Sequence, residues 1–152
     1  MKDFIKILTA IAIAAVSSWI TVQLSRHKFQ TERWWEKKVA AYESVIEAFH
    51  KSKKFSIEHM KAVEIGSEMN ELYDLELRKL AEDAREEISK ARDIGSFILS
   101  EVALDILACY ETESINAPRE DTWYDCLQAD FDRVNKYMKE FIAEAKLDLK
   151  KF

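Results

Sequence analysis

Glycine and proline are nearly missing from this chain, which holds 2 and 1 of them in 152 residues. Sheets joined by tight turns need such residues in quantity, so a β-rich or loop-rich fold is excluded. A loop that cradles phosphate needs clustered glycines, so neither a P-loop nor a dinucleotide fingerprint can be built, and no nucleophile elbow is present. Cysteine is as sparse. Cys109 and Cys126 have neither the spacing of a zinc site nor that of a redox CxxC pair. In a reducing compartment they are expected to be buried, reduced and inert. In an oxidising one they flank a predicted helical hairpin and would be free to pair. The last absence is the most informative: no charged residue falls between Ile7 and Leu24.

Those 18 residues span about 27 Å as a helix, against a hydrocarbon core of ~30 Å. Phe4 and Ile5 extend the run if the Lys6 ammonium reaches outward to the headgroups. Residues 1–25 therefore read as a transmembrane anchor, marked by Ile7, Ala10, Ala14, Ser18, Trp19 and Leu24. A cleaved signal peptide fits less well, because the Ala-x-Ala sites at 10–12 and 12–14 come too early and the apolar run continues past them. Ala10, Ala14 and Ser18 recur every four positions, a small-residue face that permits close helix pairing. Lys2 and Lys6 precede the run, whereas Arg26, Lys28, Arg33, Lys37 and Lys38 follow it. The cation bias places the carboxyl-terminal part on the cytoplasmic side. Arg26, Lys28, Arg33, Trp34, Trp35, Lys37 and Lys38 form an expected membrane-interface patch. Trp35 has a competing place in the apolar seam that follows.

What remains, residues 26–152, is long enough for one domain with a core of its own. Few helix breakers and abundant Glu, Lys, Leu and Ala point to long helices. Trp35, Val39, Tyr42, Ile46 and Phe49 keep a 4-3-4-3 spacing, resumed by Met60 and Val63, which predicts a first helix over 28–65 closed by Gly66. Tyr73, Leu77, Leu80, Ala84, Ile88, Ala91, Ile98, Val102 and Cys109 mark one face of a second helix over 67–111, with Gly95-Ser96 as a mid-helix close approach or bend. Trp123, Leu127, Phe131, Val134, Met138, Phe141, Ala145 and Leu149 mark a third over 118–150, with Pro118 in its first turn. The expected fold is all-α: an N-terminal transmembrane helix followed by an antiparallel three-helix bundle. In that bundle the second helix returns Leu104, Ile106 and Leu107 toward the bilayer beside Trp34 and Trp35, and the carboxyl terminus lies at the far end.

Charge is divided along the chain. Residues 1–66 hold 11 Lys and Arg against 7 Asp and Glu, a balance of +4; residues 67–152 hold 12 against 21, a balance of −9. The positive half is the one next to the expected anchor, as an anionic inner leaflet favours. The acidic remainder excludes nucleic acid as a partner, since phosphate contacts need a basic surface.

One spacing suggests metal chemistry. Glu47 and His50 are three apart, as in helical di-iron sites, but such sites need a second copy of the motif and two further Glu residues, and His27 and His59 supply none. His50 beside Lys51, Lys53 and Lys54 reads as a solvated face. No spacing singles out an acid and base pair, so the expectation is no enzyme, no cofactor, no metal and no small-molecule substrate.

Arg33-Trp34-Trp35-Glu36-Lys37-Lys38, then Ala41-Tyr42, Ile46-Glu47 and Phe49-His50, resembles a motif of uncharacterised bacterial single-pass membrane proteins. Asp93-Ile94-Gly95-Ser96-Phe97 and Ala145-Lys146-Leu147-Asp148-Leu149 resemble the same group. The resemblance implies a bacterial inner-membrane protein and carries no activity with it. The expected function is a membrane-anchored helical interaction protein that works through protein partners or copies of itself. The alternative is a membrane-acting effector, such as a small toxin or phage-defence component.

Overall fold

The computed structural model describes the backbone of residues 2–118 and 120–151, and the side chains of 17–25, 29, 31–118 and 120–151. The chain is all-α, with no strand among the described residues. Helix α1 spans Lys2–Ile65, α2 Glu71–Ile94, α3 Glu101–Ile115 and α4 Trp123–Leu149, and a single 3-10 turn, Gly95–Phe97, separates α2 from α3. Two compact units divide the chain, residues 1–36 and residues 37–152.

Each helix end has a local cause. Gly66 closes α1 with φ +66°, the left-handed conformation that a side chain disfavours. Its N–H donates to the Val63 carbonyl and that of Ser67 to Ala62, both at 3.1 Å, so two orphan carbonyls of the last turn are satisfied. Asn70 opens α2 by accepting from the N–H groups of Leu72 and Tyr73 at 3.0 and 3.3 Å. Ser100 does the same for α3 through Ala103, and Thr122 for α4 through Asp125, each at 3.1 Å.

The expected second helix over 67–111 is thus two helices. Ser100 competes as an N-cap, and Gly95 is buried where an added Cβ would lie 2.9 Å from Leu99 Cδ1. The chain turns there instead of running on. The third expected helix starts later than 118, because Thr122 rather than Pro118 organises its first turn.

The extra reversal changes the topology of residues 37–152. Along α1, Lys38 meets Asp148, Ser56 meets Asp130 and Glu64 meets Tyr124, so α4 runs antiparallel to α1. Ser44 meets Glu87 and His59 meets Asp74, so α2 is antiparallel to α1 too. Ser100 with Glu144 and Glu113 with Tyr137 set α3 against α4 in the same sense. The result is an up-down-up-down four-helix arrangement in place of the expected three-helix bundle. The carboxyl-terminal end therefore comes back to the Lys38 end of α1, not to the far end. Leu107, expected near the bilayer, is fully buried in the core.

The core draws on all four helices: Tyr42, Val45 and Phe49 from α1, Ala84 and Ile88 from α2, Ala103, Leu107 and Tyr110 from α3, Val134, Tyr137 and Phe141 from α4. Tyr42–Phe141, Phe141–Phe49, Phe49–Tyr110 and Tyr110–Tyr137 form a continuous aromatic chain with centroids 5.3, 6.1, 5.1 and 5.7 Å apart, all tilted or edge-on. Such geometry adds ~0.5–1.5 kcal/mol per pair beyond burial.

In residues 1–36 the expected anchor residues Ile7, Ala10 and Ala14 lie outside those whose side chains are described, as do Arg26 and Lys28. Ser18 is exposed, and so are Trp19, Ile20, Val22 and Leu24. Among the described residues no helix is long and apolar enough to cross a membrane.

Candidate functional site

The expected interface patch divides. Arg33, Trp34, Trp35 and Lys37 are exposed, with the Arg33 guanidinium 5.0 Å from the centroid of Phe29. Trp35 is 43 % exposed, so it takes no place in the core seam. Tyr42, Val45, Ala48 and Phe49 fill that seam instead. Lys38 is a correction. Its side chain is buried, and its Nζ lies 2.7 Å from Asp148 Oδ2. A lysine locked on α4 does not offer its ammonium to a headgroup.

Around that pair the structure assembles a polar cluster that sequence reading missed. The Tyr42 hydroxyl donates to Asp148 Oδ2 at 2.7 Å and accepts from the Ser100 N–H at 3.3 Å. Ser100 Oγ donates to Glu144 at 2.7 Å. Burial pushes the Tyr42 phenol up to about 12, with the Asp148 carboxylate adding to the rise. Burial alone would raise Asp148, but the Lys38 ammonium and Tyr42 hydroxyl hold it below the usual carboxylate range. The cluster ties the starts of α1's packed half and α3 to the end of α4. It is a clasp whose Lys38, Tyr42 and Asp148 side chains are buried against one another.

A second cluster lies at the opposite end. His59 is buried, with Nδ1 2.9 Å from the Phe55 carbonyl and Nε2 2.7 Å from Asp74. Both neighbours are acceptors, so the ring is held between the α1 backbone and the Asp74 carboxylate. Arg78 and then His59 hold Asp74 below its ordinary range. The histidine singled out by spacing behaves otherwise. His50 is exposed, and Glu47 pairs with Lys51 at 3.0 Å. Among the described residues no three His, Cys, Asp or Glu side chains converge to hold a metal ion. Cys109 is exposed and Cys126 half-buried, both as free thiols, so the expectation that both are buried does not hold.

The concavity that could take a partner is a cleft of about 440 Å³ between α1 and α2. Small residues leave room for it: Ala41 on α1, Ala91 on α2 and Gly95 at the turn. Ile98 and Leu99 complete an apolar floor, and Ile94 stands beside it 58 % exposed. Asp83, Glu86, Glu87 and Lys90 rim it from α2. At 100° per residue these four positions fall within about 100° of arc, so one helix face carries them all. Glu87 is partly engaged, accepting from Ser44 Oγ at 2.5 Å and lying 3.9 Å from Lys51, whereas Asp83 and Glu86 are exposed. Gly95 was legible in the sequence as a close approach or bend. The cleft was not, because it depends on which face of α2 meets Ala41 and Ser44. A smaller cleft of about 270 Å³ lies by Phe55, Ser114, Trp123, Cys126 and Arg133.

Comparison with protein-family models, with curated proteins and with solved structures finds no match to this chain.

Proposed function

We propose that this chain is a membrane-anchored helical protein whose residues 37–152 work by binding protein partners or further copies of the chain. The observation that carries the reading is the outward display of Trp19, Ile20, Val22 and Leu24, 47–65 % exposed, at the end of the uncharged run from Ile7. Four large apolar side chains in six positions of a helix cost free energy in water and are stabilised in hydrocarbon. Arg26, Lys28, Arg33 and Lys37 follow, and they favour a cytoplasmic location for the rest of the chain in a bacterial inner membrane. The acidic-rimmed cleft and the exposed Trp34 and Trp35 supply binding surface.

Alkaline carbonate extraction of cell membranes tests the anchor. The full chain stays in the pellet, and a chain lacking residues 1–25 moves to the supernatant; recovery of both in the supernatant overturns the reading. Exposed Cys109 then reports orientation through a membrane-impermeant thiol reagent. Labelling only after permeabilisation is the expected result, and labelling in spheroplasts reverses the topology.

A further inference from the structure

We infer that the cleft between α1 and α2 seats the Arg33–Trp34–Lys37 face of a second copy of this chain. The inference rests on the interaction reading above and names the occupant. The cleft offers an apolar floor with three carboxylates, Asp83, Glu86 and Glu87, against one cation, Lys90, among the described residues lining it. The surface that complements it is an apolar knob with cations beside it. The chain carries one. At 3.6 residues per turn, Arg33, Lys37 and Trp34 fall within about 100° of arc. Arg33, Trp34 and Lys37 are exposed. Residues 26–37 hold Arg26, Lys28, Arg33 and Lys37 against Glu32 and Glu36, so the segment is net positive where the cleft is net negative.

The same opposition runs through the whole chain, +4 over residues 1–66 and −9 over residues 67–152. The basic segment 26–37 of one copy is therefore attracted to the acidic residues 67–152 of another. Trp and Arg are the residue types that most often dominate binding when buried at an interface, and a tryptophan ring set on Ala41, Ala91 and Leu99 loses its contact with water. The carboxylate rim repels a nucleic-acid backbone or an anionic headgroup at the same place.

The test uses the full chain in nanodiscs or mild detergent. One variant reverses the cleft (Asp83→Lys with Glu86→Lys), one reverses the knob (Arg33→Glu with Lys37→Glu), and one carries all four changes. All four side chains are exposed, so each variant keeps the helical spectrum of the parent. The parent self-associates in analytical ultracentrifugation. Each single-surface variant weakens association at least tenfold, an equal mixture of the two restores it, and so does the four-change variant. A photoreactive phenylalanine analogue in place of Ile94 cross-links to residues 26–38 of an isotopically distinct copy. Association that ignores both reversals overturns the inference. Adducts from position 94 to a basic helix of another protein overturn it while leaving the interaction reading standing. Adducts to lipid alone overturn it in favour of membrane contact. A monomer that yields no adduct in native membranes removes both the inference and the reading beneath it.

Discussion

Lys38 shows how a single side chain changes meaning once the fold is formed. In sequence it is one of five cations following an uncharged run, and its partner is 110 positions away, at Asp148. No local pattern announces that pairing. Removing one member of a buried pair strands the other, so Lys38→Ala destabilises the chain by ~3–5 kcal/mol in a denaturant titration, whereas Lys37→Ala, one residue away and exposed, costs under ~0.5 kcal/mol. The same cluster sets a pH dependence at both extremes. Asp148 is held below its ordinary range, so its contribution is complete above about pH 4 and is lost as pH falls through the lowered folded value. Asp148→Asn flattens that acid limb. Tyr42 is raised from 10.0 to about 12, so its contribution is complete below pH 10 and is lost as pH rises toward 12. Tyr42→Phe removes that contribution to the alkaline slope, measured as melting temperature against pH, while Tyr110, Tyr124 and Tyr137, whose phenols are also raised, keep theirs. His59 was invisible for the same reason as Lys38. Its carboxylate partner, Asp74, sits 15 residues on, beyond the Gly66 turn, whereas the eye-catching Glu47–His50 spacing joins two residues that the fold leaves in solvent.

Helices were legible in kind and in much of their phase, and the errors cluster where a break resets the count. The seam through Leu77, Ala84 and Ile88 and the stripe through Leu127, Val134, Phe141 and Ala145 are buried as their spacing predicts. Continuing the α2 seam across Gly95 gave Val102 and Cys109 as core residues; both are exposed, and Ala103, Leu107 and Tyr110 are buried instead. Residues 95–100 leave the helical path, so periodicity loses its register there, and only the cap at Ser100 starts a new one. Two substitutions measure what the breaks contribute. Gly66→Ala forces a side chain into a left-handed conformation with no neighbour within 4 Å to relieve or worsen it, so it costs ~1 kcal/mol through backbone strain alone. Ser100→Ala removes the acceptor for Ala103 N–H and the donor to Glu144, and costs ~1–2 kcal/mol. If Ser100→Ala were neutral in equilibrium unfolding, the cap would not be what stops α2 from running on into α3.

The chain comprises one unit with an aromatic core and another whose described large apolar side chains are exposed. In residues 37–152 Tyr42, Phe49, Tyr110, Tyr137 and Phe141 converge on a shared aromatic core, while Trp19, Ile20, Val22, Leu24, Phe29, Trp34 and Trp35 in residues 1–36 are exposed. α1 belongs to both units, so where its packed half begins is a physical question with a measurable answer. Near the start of that half, Lys38 and Tyr42 both bond to Asp148 on α4. A chain of residues 26–152 therefore keeps every core contact of the four-helix unit, and it unfolds in one cooperative transition with strong helical circular dichroism. A chain of residues 44–152 loses Lys38 and Tyr42 together. It leaves Asp148 buried without either partner and takes the ring from Phe141, a loss of several kcal/mol against a typical total of ~5–15 kcal/mol. Its melting temperature falls by at least 10 °C, or it fails to show a transition. Equal stability of the two truncated chains would mean that the clasp holds nothing together and that the helical unit begins later along α1 than the buried pair implies.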